Sequence, residues 1–162
     1  MQKPAMQLSR VNLMSSPRIA ARAVILQNDR LLLVNAYADA TSTLWCAPGG
    51  GIERGQSIPD NLAREVHEET GLIVSVGPPC LINEFHAPES GFHQIEIFFR
   101  CKVLTGTLSD DWQDPENIVD RRRWVTRAEM ENMRFKPDSL PEVAWRDRAF
   151  SYDPLETLVP PT

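Results

Sequence analysis

The sequence lacks several features of membrane, secreted and nucleic-acid-binding proteins. Its aliphatic runs, such as Leu31 to Val34, last a few residues, whereas a membrane-spanning helix needs about 20 apolar residues. Residues 1–17 contain no long apolar stretch, so we expect no secretory signal. The net charge is −5, from 17 basic and 22 acidic residues, which argues against a broad basic surface for nucleic acid. We therefore expect a cytoplasmic protein with neither a membrane nor a nucleic-acid surface.

Cysteine is scarce, and its spacing excludes the common paired motifs. The three cysteines, Cys46, Cys80 and Cys101, are odd in number and widely spaced, and no CxxC motif occurs. Buried, reduced thiols are the expected state. A catalytic thiol is a minor alternative, because the spacing identifies no histidine partner for it.

The composition and pattern are those of one globular domain. The chain has 162 residues, 42% apolar and 24% charged, which suffices for a real core. Strands interspersed with helices predict a mixed sheet with helices packed on its faces. The predicted strands span 19–26, 30–35, 73–76, 81–85, 94–104 and 118–125, and the predicted helices lie between Ser57 and Gly71 and at 127–133 and 142–150. We expect residues 1–17 to form a tail or edge strand, 18–150 the domain and 151–162 a C-terminal tail.

The most informative stretch is residues 50–72, which read GGIERGQSIPDNLAREVHEETGL. Ser57 is suited to cap a helix and Gly71 to end it in a left-handed conformation. Three acids, Glu65, Glu68 and Glu69, have the spacing i, i+3, i+4, so they share one helix face. Like charges this close repel one another. A hard divalent cation held by oxygen ligands would explain the cluster.

The placement of these acids on the helix favours a metal site over a solvated surface. At about 100° per residue, Leu62 and Val66 form an apolar stripe that faces a core. Glu69 and Glu65 overlap or flank that stripe, and Glu69 is expected to be the least solvated acid. The ordinary alternative is a surface helix whose acids pair with Arg64 and its neighbours.

This stretch resembles the Nudix box, G-x5-E-x7-R-E-U-x-E-E-x-G-U, in which U is a bulky apolar residue. The first fixed Glu is replaced by Gln56, and the resemblance covers roughly residues 18–133. The matching residues are Gly50, Arg64, Glu65, Val66, Glu68, Glu69, Gly71 and Leu72. The resemblance implies the Nudix fold, an α/β (α+β) architecture in which a mixed curved β-sheet is sandwiched between α-helices.

The resemblance also implies a chemistry, the hydrolysis of a phosphoanhydride in a nucleoside diphosphate linked to another group X. It implies Mg2+ or Mn2+ as cofactor, held by the carboxylates of Glu65, Glu68 and Glu69 and by the Gly50 carbonyl. Glu65, Glu68 and Arg64 are the expected catalytic residues, with Arg64 orienting a box carboxylate. The group that accepts the proton of water stays open, between Glu65 and the loop acids. The loop acids are Asp110, Asp111, Asp114 and Glu116.

Residues outside the box choose the substrate, and few of them are recognisable. Arg18 and Arg22 lie near the first strand, within reach of a phosphate. Trp45 either stacks on a base or, as is more typical of tryptophan, packs in the core. Phe85 and His93 flank the substrate side by analogy.

The expected partner is a small phosphorylated substrate, and the resemblance also allows a homodimer. A nucleotide sensor without turnover is the main alternative, which Gln56 keeps open because an amide lacks the carboxylate charge. A scaffolding domain is a third option, but it would not need the carboxylates.

Overall fold

A computed structural model of the chain describes residues 16–146 and 149–162, so most of the predicted N-terminal tail, residues 1–15, lies outside the described residues. The strands are β1 (Arg18–Gln27), β2 (Arg30–Asn35), β3 (Leu44–Cys46), β4 (Gly49–Gly51), β5 (Ile73–Ala87), β6 (Phe92–Thr105), β7 (Arg122–Val125), β8 (Arg134–Phe135), β9 (Ser151–Tyr152) and β10 (Glu156–Thr157). The helices are α1 (Ile58–Thr70), α2 (Arg127–Met130) and α3 (Leu140–Trp145).

The strands form one mixed sheet in the order β10-β5-β6-β1-β2-β3-β8. The remaining strands β4, β7 and β9 pair with β1, β2 and β5. Strand β1 runs parallel to β6 and antiparallel to β2 and β4, which makes the sheet mixed. The predicted fold class is confirmed.

Helices cover both faces of the sheet. On one face, Leu62 and Val66 of α1 pack in a cluster with Leu32. On the other face, Leu140 of α3 packs in a cluster with Phe98. Each fully buried side chain of this size contributes about 1.5–3 kcal/mol, so the cluster around Leu62 and Val66 holds the box helix firmly against the sheet.

The central hairpin of β5 and β6 is longer than the sequence predicts. Two short strands are predicted around Gly77-Pro78-Pro79, yet β5 is continuous over 15 residues. The pairing with β6 shifts register between Val76 and Pro79 and again between Pro79 and Leu81. Such irregularities accommodate prolines, which cannot donate to the ladder.

The C-terminal segment, predicted as a tail, lies against the sheet. Both β9 and β10 pair in parallel with β5. The guanidinium of Arg134 donates to the carbonyls of Pro161 and Pro160 at 2.7 and 2.6 Å. Prolines lack an N–H but keep the carbonyl acceptor, so Pro160 and Pro161 are held through their carbonyls, and the Thr43 N–H also donates to the Pro161 carbonyl.

Several element boundaries differ from the predicted ones; the helix predicted at 127–133, for example, ends at Met130. The strand predicted from residue 118 begins at Arg122, because the residues just before it form a loop around Asp114. The last helix starts at Leu140 and ends at Trp145, whereas 142–150 was predicted. Within the described ranges, no helix is long and apolar enough to cross a membrane.

Candidate active site

A glycine turn and the box helix form the floor of the site. Strand β4 pairs with β1, and α1 follows after Ser57, whose hydroxyl accepts from the Asp60 N–H at 3.2 Å. The helix ends at Gly71, which has φ 76°. A Cβ at Gly71 would lie 2.9 Å from the Trp112 ring. Both predicted helix boundaries are confirmed, and Gly71 has a steric reason in addition to its backbone conformation.

Two box acids, Glu65 and Glu69, are each 8% exposed and line one cavity of about 430 Å³. The Glu69 carboxylate accepts from the Gly49 N–H at 2.9 Å. A Cβ at Gly50 would lie 2.6 Å from the Glu65 carboxyl, so the turn leaves no room for a side chain there. We call this space the carboxylate cavity, and its lining includes Gly49, Gly50, Glu65, Glu69 and Glu116.

Glu68 lies outside this cavity and binds Arg64. The Arg64 guanidinium contacts Glu68 at 2.9 Å, Glu65 at 3.0 Å and Glu53 at 3.3 Å. Arg64 therefore contacts Glu65 directly, and its role in orienting that carboxylate stays a prediction. The amide of Gln56 donates to Glu53 at 3.0 Å, which places Gln56 at the outer end of this network.

Burial dominates the electrostatics of the two cavity acids. It raises the pKa of Glu69 to about 8, although Arg22 and the Gly49 N–H favour the charged form. Burial also raises the pKa of Glu65; Arg64 opposes this, and the charge of Glu116 adds to it. A cation in the cavity would lower both pKa values by favouring the carboxylates.

The donor set suits magnesium bound together with a substrate. Among residues 16–146 and 149–162, no three Asp, Glu, His or Cys side chains are arranged to hold a metal ion by themselves. Magnesium, however, is commonly held by one or two carboxylates, several waters and substrate phosphates. Glu65 and Glu69 supply two carboxylates beside the glycine turn, which lines the same cavity.

One loop acid reaches the carboxylate cavity. The Asp114 carboxylate accepts from the N–H groups of Glu116, Ile118 and Val119 at 2.9 to 3.1 Å. Trp112 anchors the loop by donating to the Glu68 carbonyl at 2.8 Å. Of the four loop acids, Glu116 lines the cavity, while Asp114 shapes the loop that carries it.

Both predicted arginines line the cavity, but they are already engaged. Arg22 donates to Glu96 at 2.8 Å and to the Gly49 carbonyl at 3.1 Å. Arg18 donates to the Gln94 side chain at 2.7 Å. Arg22 therefore holds the glycine turn, while the exposed Arg18 remains the better placed to meet a phosphate.

A second cavity of about 230 Å³ adjoins the first and shares Arg18, Arg22, Ala36 and Cys46 with it. We call it the aromatic cavity, and its lining includes Tyr37, Asn83, Phe85, Phe92 and Leu158. Sequence reasoning found only Phe85 of this group, because the others come from separate segments with no shared motif. His93 instead contacts Glu84 at 3.1 Å.

Trp45 and Cys46 are neighbours with different surroundings. Trp45 packs against the cluster on the α2 and α3 face, with the Arg121 guanidinium 6.0 Å from its ring. It is not among the described residues that line either cavity. Cys46 lines both, but burial raises the pKa of its thiol to about 12, which keeps it protonated and poorly nucleophilic.

The family of this chain follows from its match to a protein-family model. The model of the NUDIX domain matches residues 16–146. The chain belongs to the Nudix family. The solved structure of a NUDIX hydrolase from Nitrosomonas europaea shares the fold, with a TM-score of 0.66 at 24% identity, covering 79% of this chain and 86% of that one.

Two curated Nudix relatives carry different names. An ADP-ribose pyrophosphatase of Methanocaldococcus jannaschii is 29% identical over 113 residues, which is 67% of this chain and 66% of the relative. Diphosphoinositol polyphosphate phosphohydrolase 3-alpha of Mus musculus is 36% identical over 102 residues, which is 60% of this chain and 56% of the relative. The chain thus matches between half and two thirds of the length of these relatives.

Proposed function

We propose that this Nudix protein is a divalent-metal-dependent hydrolase that cleaves a phosphoanhydride in a nucleoside diphosphate linked to a group X. The observation that carries the proposal is the pair of buried acids, Glu65 and Glu69, on one cavity with the glycine turn. Buried carboxylates destabilise a fold unless a cation or hydrogen bonds compensate them. A site that binds a divalent cation and a phosphate would explain why the fold buries these two acids.

Each residue of the carboxylate cavity has a separate role in the proposed reaction. A bound divalent cation would neutralise the charge of the phosphoryl oxygens and lower the pKa of the water bound to it. The Gly49 N–H fixes the carboxylate of Glu69, and Arg64 orients that of Glu65. Arg22 holds the turn itself through the Gly49 carbonyl. Fixed geometry of this kind lowers the reorganisation needed at the reacting phosphorus.

Two carboxylates are placed to accept the proton from the attacking water. Glu65 lines the carboxylate cavity, where an ionised carboxylate is able to accept a proton from water. Glu116 lines the same cavity from the opposing loop. We favour Glu65, because Arg64 holds its carboxylate in one orientation.

The aromatic cavity favours a nucleoside end over a polyphosphorylated ring. Its charged lining includes two carboxylates, Glu96 and Glu156. Arg22 and Lys136 are paired with these carboxylates at 2.8 Å. Of the three basic residues on this lining, Arg18 alone has no ion pair among the described residues and contacts a neutral side chain instead. One phosphate would therefore find an uncompensated positive charge here, whereas a cluster of phosphates would also face the two carboxylates. Of the two activities that the relatives' names describe, that of the ADP-ribose pyrophosphatase, whose named substrate has a nucleoside end, fits this lining better.

A sensor without turnover is the second candidate, and Gln56 is the residue that favours it. The structure weakens this case, since Gln56 is exposed and is not among the described residues that line the carboxylate cavity. Both cavity acids are intact. A cytoplasmic location, a homodimer and the domain boundaries at 17 and 150 stay predictions.

Assays with and without metal test the proposed function. ADP-ribose, UDP-glucose and a diphosphoinositol polyphosphate would be incubated with the protein in magnesium, in manganese and in chelator. We expect turnover of at least one nucleoside diphosphate compound, loss in chelator and recovery with excess magnesium. Full turnover in chelator would sink the metal mechanism. Tight binding without turnover across the panel would support the sensor.

A further inference from the structure

One polar side chain in the aromatic cavity has an unsatisfied donor. Asn83 lies on β5, is 2% exposed and lines the cavity. Its Nδ2 has no hydrogen-bond partner among the described residues. A buried amide without a partner destabilises the fold. Nδ2 is closed off from solvent where it lies, but rotation of the amide exchanges Nδ2 and Oδ1, so a ligand in the cavity that Asn83 lines would complete the amide after this rotation.

The neighbouring polar groups are satisfied within the protein. Glu96, opposite Asn83 on β6, accepts from Arg22 and from Gln94 at 2.8 Å. Glu156 accepts from Lys136 at 2.8 Å. The free donor is therefore specific to Asn83 and does not reflect a generally loose polar lining.

A second asparagine shows the contrast within this fold. Asn35 is also 2% exposed, yet its Nδ2 donates to the Tyr37 and Ile118 carbonyls at 2.8 Å. Its Oδ1 accepts from two backbone N–H groups, at 3.0 and 3.1 Å. All hydrogen-bonding groups of the Asn35 side chain are therefore satisfied within the protein, whereas the Nδ2 donor of Asn83 is not.

Aromatic surface surrounds the free amide. The rings of Phe85 and Phe92 have centroids 6.1 Å apart, and both line the cavity. Tyr37 is fixed there because its hydroxyl donates to the Val159 carbonyl at 2.5 Å. Flat aromatic walls with one hydrogen-bonding edge suit a planar heteroaromatic ring, which stacks and pairs at once.

The size and position of the cavity indicate which part of a substrate it would hold. At about 230 Å³ it is smaller than a typical pocket for a whole ligand, roughly 300–1,000 Å³. It opens beside the carboxylate cavity, with which it shares Arg18 and Arg22. A substrate with its diphosphate on the carboxylates would thus place one terminal ring system here.

We propose that Asn83 determines specificity by hydrogen-bonding the edge of the substrate's nucleobase, which lies in the aromatic cavity against Phe85 and Phe92. This inference rests on the proposed function, because it assigns one end of the same substrate. An amide offers both a donor and an acceptor, as base edges do. The sugar and diphosphate then extend past Arg18 to the carboxylates.

Binding of nucleoside monophosphates tests this without requiring turnover. Affinities of the AMP, GMP, UMP and CMP set and of ribose 5-phosphate would be measured calorimetrically in magnesium for the wild type and Asn83→Ala. We expect at least one nucleotide to bind the wild type better than ribose 5-phosphate. Asn83→Ala should weaken that nucleotide by about tenfold, the loss of one hydrogen bond, and leave ribose 5-phosphate unchanged.

Two further variants separate recognition from folding. Asn35→Ala should lower the melting temperature clearly, because it removes four hydrogen bonds, while Asn83→Ala should lower it less. Phe92→Leu, at a residue 36% exposed, should fold normally and also weaken the nucleotide. This variant keeps the test decisive if Asn83→Ala fails to fold.

The inference is overturned if no nucleotide outbinds ribose 5-phosphate, or if the preferred nucleotide binds both folded variants as tightly as the wild type. Either result leaves the metal-dependent hydrolysis of diphosphates untouched. Conversely, an Asn83-dependent base preference without any diphosphate turnover would contradict the proposed function while preserving base recognition.

Discussion

The two adjoining cavities differ in how the chain builds them. The carboxylate cavity takes most of its acids from one stretch, since Glu65 and Glu69 follow the glycine turn within 20 residues. The aromatic cavity combines Tyr37, the β5 and β6 strands and the C-terminal residues around Leu158. Its chemistry therefore depends on contacts between residues up to 122 positions apart, such as that of Tyr37 with Val159.

This difference indicates how function is divided in the chain. Chemistry needs charged groups held rigidly at short range, which one helix and one turn provide. Substrate choice needs only a shaped wall, which distant segments can supply and change independently. The predictions that follow test whether the two cavities are separable in this way.

The largest effect is expected from Glu69→Gln. Removing a buried carboxylate from the cavity should lower kcat on the order of 100-fold or more, measured at saturating magnesium. Glu68→Gln is the matched control, since Glu68 binds Arg64 outside the cavity, and we expect a loss of about tenfold or less. If Glu116→Gln proves more damaging than Glu69→Gln, the proton acceptor lies outside the box.

A smaller but clear loss is expected from Gly50→Ala. Its Cβ would meet the Glu65 carboxyl at 2.6 Å, so the carboxylate must move and kcat should fall about tenfold or more. Gly51→Ala is the comparison, because its Cβ would displace the Arg18 guanidinium instead of the Glu65 carboxyl and should therefore raise KM more than it lowers kcat. Equal activity of the two variants would show that the turn does not hold Glu65 in a catalytic position.

The buried acids also predict a pH dependence of stability in metal-free protein. The pKa of Glu69 is about 8 when folded and near 4.5 otherwise, so the folded state binds more protons between these values. Stability should therefore fall as pH rises from about 4.5 to 8, by on the order of a few kcal/mol. Glu65 acts in the same direction.

Denaturant unfolding in chelator at several pH values measures this slope. Glu69→Gln should flatten it and be more stable than the wild type at pH 8. Magnesium should restore part of the wild-type stability there, since binding favours the folded state. Stability that rises over this range would contradict the buried, uncompensated state of Glu69.

The smallest effect is expected from Gln56→Glu. Gln56 is exposed and donates to Glu53, so a carboxylate would gain little from Arg64 and would face Glu53. We expect less than about 0.5 kcal/mol change in stability and little change in magnesium half-saturation. A clearly tighter half-saturation in a magnesium titration would show that the departure from the Nudix pattern weakens metal binding.

The sequence correctly predicts those elements whose signals lie in neighbouring residues. The caps at Ser57 and Gly71 and the mixed sheet were predicted correctly, because capping and periodicity depend on neighbouring residues. Helix geometry also brings Arg64 and Glu68 together at i, i+4, which the sequence offers as the ordinary alternative for the acids. That Glu68 does not line the cavity depends on this pairing, and its role toward a metal stays a prediction. The strands β9 and β10 were also missed, because two-residue strands have no periodicity to detect.

The second cavity was beyond sequence reasoning for the same physical reason. Asn83 looks like an ordinary polar residue within an apolar strand, and its unpaired amide is visible only once β6 and the C-terminal segment are placed beside it. Phe92 was not recognised as a partner of Phe85, because the hairpin register that pairs their strands is not readable from composition.

The central claim is that the two cavities serve one substrate in separate roles. Steady-state kinetics of the wild type, Glu69→Gln and Asn83→Ala on one cleaved nucleoside diphosphate compound, at saturating magnesium, test it most directly. We predict that Glu69→Gln lowers kcat with KM changed by a few fold, and that Asn83→Ala raises KM about tenfold with kcat largely kept. The account would be contradicted if Asn83→Ala lowered kcat alone, or if Glu69→Gln retained wild-type turnover.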